Sequence, residues 1–140
     1  MSASTRDTVV PIGRVHSPLQ HAADAPKQGY EGAPDARLKI DAVFQPALGG
    51  IVPGQELLVL TRLHQARRDL LVVHPRDDET QPLTGVFATR SADRPNPIGL
   101  HRVTVLAIEA GGSIHVRGLE AIDGTPVIDL KPTLPPAGGW

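Results

Sequence analysis

Residues 85–103 carry the side chains with the clearest chemical potential in this sequence. They read GVFATRSADRPNPIGLHRV, so that Arg94 precedes Pro95 and Asn96 precedes Pro97. Each proline fixes its own φ and restricts the residue before it, which gives Arg94 and Asn96 a rigid backbone. An arginine offers two donors to a carboxylate or phosphate, and an asparagine amide offers the donor beside an acceptor that reads an adenine edge. The alternative is a proline-rich turn whose asparagine caps its own backbone.

Two further segments carry candidate binding groups. In IDGTPVIDLKP, Asp123-Gly124 is a strong hairpin signal, and free backbone groups there could hold the edge of a base or the amino-acid end of a cofactor. His64 and Gln65 follow an apolar run, at a predicted strand end where sites assemble on β scaffolds. A lone histidine is more often structural, and the six histidines show no HxH, HExxH or HxxxH spacing, so we expect no metal site.

The composition favours one domain, residues 1–140, and excludes several catalytic classes. The absence of cysteine excludes disulfides, thiolate zinc sites and cysteine nucleophiles. GxSxG, GxxxxGK[ST] and GxGxxG are also absent, which removes the usual support for hydrolase, P-loop and Rossmann assignments. The net charge is -1, and no apolar run approaches the roughly 20 residues of a membrane span. We therefore expect a cytoplasmic protein with no membrane partner, and disorder at residues 1–8.

Short β-branched runs bounded by glycine and proline predict an all-β fold, either a meander or a small barrel with long loops. Gly111-Gly112 predicts a hairpin, a phase slip in SIHVRGLEAI predicts a bulge at Gly118, and residues 45–50 could hold one helical turn. Residues 18–36 and 74–84 are predicted as long loops. The predicted strands are residues 9–17, 38–44, 56–63, 69–75, 85–90, 98–108, 113–122 and 126–131.

The long central motif GVFATRSADRPNPIGLHRVTVL resembles that of the TrmO/TsaA-like family of S-adenosylmethionine-dependent tRNA methyltransferases. The opening PIGRVHSPL, the APKQG of the first loop and DGTPVIDLKP extend the resemblance over residues 11–135. It implies a small β-barrel of non-Rossmann type that acts as a homodimer. The reaction implied is N6-methylation of threonylcarbamoyladenosine beside the anticodon of tRNA, with S-adenosyl-L-methionine as the methyl donor.

The resemblance also implies which residues bind the cofactor. The central motif contributes Arg90 and Leu100, and the strand end contributes His64 and Gln65. The first loop contributes Pro26, Lys27 and Gln28, where the family usually has Pro-Arg-Gln. The segment before the last strand contributes Ile122, Asp123, Gly124 and Thr125.

The acceptor side of this reaction points to a second group of residues. A threonylcarbamoyl group carries a carboxylate that Arg94 could hold, with Asn96 on the base edge. The acceptor nitrogen is a poor nucleophile that a general base would help; Asp123, His64 and His101 are candidates by residue type. Methyl transfer from a sulfonium needs mainly positioning, so it requires no metal and no covalent nucleophile.

The sequence departs from the family pattern RSPFRPNPIGLS at Ala92, Asp93 and His101, where Pro, Phe and Ser usually stand. Bacterial members of the family carry an extra C-terminal domain that is a candidate for binding tRNA. We expect no counterpart of that domain in this sequence. Two alternatives therefore stay open. One is a methyltransferase with another acceptor, and the other is a non-catalytic barrel that binds a nucleotide or RNA. With only four aromatic residues the chain offers little base stacking, which weakens the second alternative.

Overall fold

The computed structural model describes residues 7–20 and 35–134, and its main feature is a closed barrel of six antiparallel strands. Two other strands, β4 (Val72–Val73) and β5 (Thr84–Gly85), pair with each other outside the barrel. The barrel strands are β1 (Gly13–His16), β2 (Ala36–Ile40), β3 (Glu56–Arg62), β6 (Ile98–Glu109), β7 (Ser113–Arg117) and β8 (Pro126–Pro132). Their order around the barrel is β1-β2-β7-β6-β3-β8, which confirms the predicted all-β barrel.

Alternating burial along the strands defines the inside of the barrel. On β2 the pattern is strict, with Leu38 and Ile40 buried and their neighbours exposed. Successive side chains of a strand point to opposite faces, so one apolar row from each strand fills the interior. Each fully buried aliphatic side chain contributes about 1.5–3 kcal/mol. The interior rows consist of Val15, Leu38, Ile40, Leu57, Val59, Val103, Val105, Ile114, Val116 and Val127.

Five of the predicted strands are only partly strands; of residues 9–17 and 113–122, only Gly13–His16 and Ser113–Arg117 pair in the barrel. Residues 42–44 belong to a 3-10 helix (Ala42–Leu48), which extends the single helical turn predicted at residues 45–50. Two further 3-10 helices span Pro75–Asp77 and Val86–Ala88, and the latter follows β5 in place of the strand predicted up to residue 90. Residues 69–75 contribute only the two-residue β4. No helix in the described residues is long and apolar enough to cross a bilayer.

The sequence predicts glycine-dependent features at Gly111-Gly112, at Gly118 and at Asp123-Gly124. The structure confirms the first and differs from the other two. Gly111 and Gly112, with φ of 83° and 80°, join β6 to β7 as the predicted hairpin. The predicted bulge at Gly118 is wrong, because β7 ends at Arg117 and the ladder irregularity lies on β6 between Val105 and Ala107. Gly118, with φ of 94°, instead turns the chain out of the ladder.

The hairpin predicted at Asp123-Gly124 is a turn without a hairpin. The N–H of Thr125 donates to the carbonyl of Ile122 at 3.2 Å, and Gly124 has a φ of 81°. The following strand, β8, pairs with β1 and β3 and does not return along β7. The signal therefore identified a tight turn correctly, but the strands flanking it are not partners.

Candidate functional site

A cleft of about 790 Å³ opens at one end of the barrel. It lies where β3 ends and β6 begins, since Arg62 pairs with Ile98 in the ladder between these strands. The long connection between β3 and β6 supplies one wall of the cleft. It includes residues 72–85, which run from the start of β4 to the end of β5 and are called the β4–β5 arm. The segment between β7 and β8 supplies part of the other wall. The volume is typical of a site for a small molecule or cofactor.

Most of the residues singled out from the sequence line this one cleft. They come from three separate segments of the chain, so the barrel brings together groups up to 61 positions apart in sequence. The roles of these residues remain predictions, but their convergence is a property of the fold. The residues concerned are His64, Gln65, Arg90, Arg94, Asn96, Leu100, His101, Ile122 and Thr125.

Asp123 and Gly124 lie beside the cleft and do not line it. The carboxylate of Asp123 is exposed and accepts from the N–H of Ser17 at 3.0 Å, while its own N–H donates to the carbonyl of Leu19 at 2.7 Å. Asp123 therefore anchors the segment that leaves β1. The predicted first-loop contacts Pro26, Lys27 and Gln28 lie outside the described residues.

Three polar side chains of the cleft are exposed and free to bind a ligand. Within the described part of the chain, His64, Gln65 and Arg90 make no side-chain hydrogen bond or ion pair. Leu100 and Ile122 add apolar surface to the same cleft. An unpaired guanidinium beside apolar groups suits an anionic end of a partly apolar ligand.

Arg94 is held in place by its own loop. Its Nη1 donates to the carbonyl oxygens of Thr89 and Ser91, both at 3.0 Å, and its guanidinium lies 6.0 Å from the centre of the Phe87 ring. These two bonds fix the backbone on both sides of Arg90, because Thr89 and Ser91 are its neighbours in sequence. Arg94 therefore shapes the segment that carries Arg90, whatever contact it makes with a ligand.

Arg68 fixes the orientation of Asn96. Its Nε donates to the carbonyl of Pro95 at 2.8 Å and its Nη2 donates to Oδ1 of Asn96 at 3.1 Å. Because a guanidinium has only donors, the atom of Asn96 that faces it must be the amide oxygen. The acceptor expected to read an adenine edge is thus already engaged, and Asn96 offers the cleft its N–H donors.

The neighbouring residue Arg67 ties the same loop to the backbone. Its N–H donates to Oδ1 of Asp93 at 2.8 Å, and its carbonyl accepts from the N–H of Arg94 at 3.0 Å. The side chain of Arg67 turns away to Asp69, with a bond of 2.9 Å. The hydrogen bond from Arg67 lowers the pKa of Asp69, which keeps this exposed carboxylate ionised.

A polar cluster that the sequence did not reveal forms the inner end of the cleft. His101 Nε2 lies 2.7 Å from Oγ1 of Thr61, and Nδ1 lies 2.6 Å from Oε1 of Glu120. His101 is 4% exposed and the Glu120 side chain is 14% exposed. The alternation on β6 was the available signal, because His101 is in phase with the buried Val103.

Gly99 makes room for this cluster. It lies opposite Thr61 in the β3–β6 ladder, on the inward row that continues to His101. A Cβ at this position would lie 2.5 Å from Oγ1 of Thr61 and 2.6 Å from Nε2 of His101. Only glycine therefore allows the imidazole to reach across to the threonine hydroxyl.

The rim of the cleft contains strained backbone. Arg76 and Asp77 have φ of 55° and 58°, a region that residues other than glycine rarely occupy. Both residues line the cleft together with His74. Such conformations cost on the order of 1–3 kcal/mol each and concentrate at binding sites. Among the described residues no group of three histidine or acidic side chains is arranged to hold a metal ion.

The fold and the cleft define a small barrel with a ligand site at one end, and comparison with known proteins assigns it to a family. Residues 14–137 match the model of the tRNA-methyltransferase O N-terminal domain, TrmO_N. The chain therefore belongs to the TrmO family.

Two archaeal relatives match almost end to end. A probable S-adenosyl-L-methionine-binding protein of Methanothermobacter thermautotrophicus is 42% identical over 122 residues, which cover 87% of this chain and 86% of the relative. An S-adenosyl-L-methionine-binding protein of Archaeoglobus fulgidus is also 42% identical over 122 residues, covering 86% of this chain and 85% of the relative.

Crystal structures of TrmO have the same fold. One is 33% identical with a TM-score of 0.77 and covers 100% of this chain. A second, from Pseudomonas aeruginosa, is 31% identical with a TM-score of 0.75 and also covers 100%. This chain spans only 61% and 60% of those two crystallised chains.

Proposed function

We propose that the protein binds S-adenosyl-L-methionine in the cleft and transfers its methyl group to tRNA. The observation that carries this proposal is the convergence of His64, Gln65 and Arg90, all free to bind, on one cleft of a TrmO-family barrel. The names of the archaeal relatives support the same cofactor.

The chemistry of the cleft fits this cofactor. S-adenosyl-L-methionine has an anionic carboxylate, a polar adenine edge and apolar faces. Arg90 would take the carboxylate, and Leu100 and Ile122 would cover apolar surface. His64 and Gln65 offer polar groups to the remaining edges, with the predicted contacts of the first loop and of residues 123–125 completing the site.

When bound, the cofactor supplies an activated methyl group on a sulfonium. The residues of the chain then have to orient the acceptor in line with that methyl group and remove a proton. Arg94 and Asn96 are the proposed acceptor contacts, because they lie on the wall of the cleft that follows Arg90 in the chain. The N–H donors of Asn96 suit a carbonyl or carboxylate oxygen of the acceptor.

The proposed acceptor is threonylcarbamoyladenosine beside the anticodon of tRNA, which places the reaction in the cytoplasm. Its threonyl carboxylate matches the donors of Arg94 and Asn96. Another acceptor with an anionic group would meet the same donors. A barrel that binds nucleotides without chemistry is less favoured, because Phe87 is the one described aromatic side chain that lies near the cleft wall.

Calorimetry followed by a methylation assay tests the proposal in two steps. We expect S-adenosylmethionine and S-adenosylhomocysteine to bind with micromolar or tighter dissociation constants. We then expect methyl transfer to tRNA bearing threonylcarbamoyladenosine and not to the same tRNA without that modification. No heat and no thermal shift at millimolar cofactor would contradict the whole proposal, whereas binding without transfer would contradict only the acceptor.

Arg68→Ala should lower methyl transfer by about ten-fold while leaving the affinity for S-adenosylhomocysteine within about two-fold. The reason is that Asn96 loses the donor that fixes its amide. Initial rates and calorimetry on the same preparations measure the two effects. The matched control is Arg67→Ala, whose side chain pairs with Asp69 away from the cleft.

A double variant shows whether the effect of Arg68 passes through Asn96. In an Asn96→Ala background, Arg68→Ala should cause little further loss of transfer, because the two residues act as one unit. Equal losses in both backgrounds would refute the positioning role of Arg68.

We also propose that the protein is a homodimer that associates through the β4–β5 arm. This arm and the residues next to it expose four large apolar side chains, Leu71, Val72, Leu83 and Phe87, of which Phe87 is 80% exposed. Contiguous exposed apolar surface marks interaction sites on soluble proteins. The arm also forms one wall of the cleft, so a second copy would extend the site.

Phe87→Glu should weaken the dimer by about ten-fold or more, because it places a charge in the apolar contact. Light scattering over a dilution series measures the change, with Val43→Glu as the control at a 77% exposed position away from the arm. A particle of 14.9 kDa for the wild type at working concentration would contradict the dimer itself.

A further inference from the structure

The barrel interior is apolar except at its cleft end, where Thr61, His101 and Glu120 form a connected polar cluster. Thr61 and His101 continue the inward rows of β3 and β6 beyond Val59 and Val103. Glu120 stands between the buried Leu119 and Ala121 and reaches His101 from the segment after β7. The hydroxyl of Thr125, the other buried polar residue in the described chain, donates locally to the carbonyl of Ile122.

Stability gives no reason for such a cluster. Taking polar groups and a carboxylate out of water is costly, so packed apolar side chains would close this end of the barrel at a lower cost. The fully buried side chains in the rest of the barrel interior are aliphatic. A histidine and a carboxylate that line a cleft are groups with the chemistry to move protons.

Glu120 is also the best placed of the cleft carboxylates. The carboxylates that line the cleft are Asp77, Asp93 and Glu120. Asp77 is exposed at the rim, and Asp93 accepts from the backbone of Arg67. Glu120 lines the same cleft as Leu100 and Ile122, the two apolar residues proposed to contact the cofactor. It lies two residues before Ile122, and its carboxylate contacts His101, the residue after Leu100.

We propose that Glu120 is the general base of methyl transfer and that His101 and Thr61 are its positioning residues. This inference rests on the function proposed above. In the step, the acceptor nitrogen forms a bond to the methyl carbon while the bond from that carbon to sulfur breaks. The proton that the nitrogen carried goes to the carboxylate of Glu120, and from there through the open cleft to water.

The hydrogen bonds of the cluster fit these roles. An ionised carboxylate only accepts, so Nδ1 of His101 carries the hydrogen shared with Oε1 of Glu120. In the neutral imidazole Nε2 then accepts from the hydroxyl of Thr61. His101 has both nitrogens engaged, so it orients the base, and the carboxylate is the group that can receive the proton.

The test uses Glu120→Gln and Glu120→Ala in the full chain. We expect both variants to keep the affinity for S-adenosylhomocysteine, measured by calorimetry, within about two-fold. We expect the maximal rate of methylation of tRNA bearing threonylcarbamoyladenosine to fall by about 100-fold or more. Formate should restore part of the rate of Glu120→Ala, because a small carboxylate can occupy the vacated space and accept the proton. Glu109→Gln and Glu109→Ala, at a carboxylate paired with Arg37 on the barrel surface, are the matched controls and should keep the wild-type rate with or without formate.

The outcomes separate this inference from the proposed function. A wild type that binds no cofactor, or that methylates no such tRNA, overturns both. A wild type that methylates while Glu120→Gln keeps its rate overturns the role of Glu120 alone. Loss of cofactor affinity in Glu120→Gln, or a rate of Glu120→Ala that formate leaves unchanged, also overturns that role. Thr61→Val and His101→Gln should reduce the maximal rate with little change in KM if they position the base.

Discussion

Arg90→Ala is expected to weaken the binding of S-adenosyl-L-methionine by about ten-fold or more. Arg90 is the cleft arginine without a hydrogen bond or ion pair in the described chain, so its guanidinium is free to bind the cofactor carboxylate. Losing a hydrogen bond to a charged group costs about 1.5–3 kcal/mol, which corresponds to that change in affinity. Calorimetric titration with S-adenosylhomocysteine, which retains the carboxylate, measures it.

The control for Arg90 is Arg62→Ala. Arg62 is also exposed and without a partner in the described chain, but it lies at the end of β3 outside the cleft lining. Its removal should leave the affinity unchanged. Arg90→Lys should restore only part of the binding, because lysine keeps the charge but lacks the planar fork. An Arg90→Ala variant that binds as tightly as Arg62→Ala would refute the assignment.

The barrel was predictable because its signals are local. On β2 and β7 the apolar residues alternate with polar ones, and on β3 they form a continuous run from Leu57 to Leu60. Each run is bounded by turn residues that lie beside it in sequence. The strand predictions failed where strand formation depends on a partner strand that is distant in the sequence. Val86 and Phe87 have strand-forming side chains, but residues 86–88 have no strand partner and form a 3-10 turn after β5.

The site was only partly predictable for the same reason. The loop at residues 90–96 is marked by its prolines, and Arg90 by the family motif. Arg68 and Glu120, however, act on partners 28 and 19 positions away, and nothing near either residue in the sequence indicates those contacts. His101 departs from the family motif, and only the ladder between β3 and β6 shows that it faces Thr61.

The strongest combined effect on fold and function is expected from Gly99→Ala. The added methyl group would meet Thr61 and His101 at 2.5 and 2.6 Å, so the imidazole has to leave the threonine hydroxyl. We expect a loss of about 1–3 kcal/mol in the free energy of unfolding, measured by denaturant titration. Displacing the residue that orients Glu120 should also lower methyl transfer by about 100-fold, since a shift of about 1 Å in a catalytic group has that effect.

Two further variants decide whether the clash at Gly99 is the cause. Gly85→Ala is the matched control, because a Cβ there meets nothing within 4 Å, and it should leave stability and transfer nearly unchanged. His101→Ser removes the imidazole, so adding Gly99→Ala to that background should cost clearly less stability than it costs in the wild type. An equal cost in both backgrounds would mean that the glycine is required for the backbone of β6, and the cluster would then not depend on it. A smaller cost with His101→Ser would establish that the glycine keeps open the space in which the histidine reaches both Thr61 and Glu120.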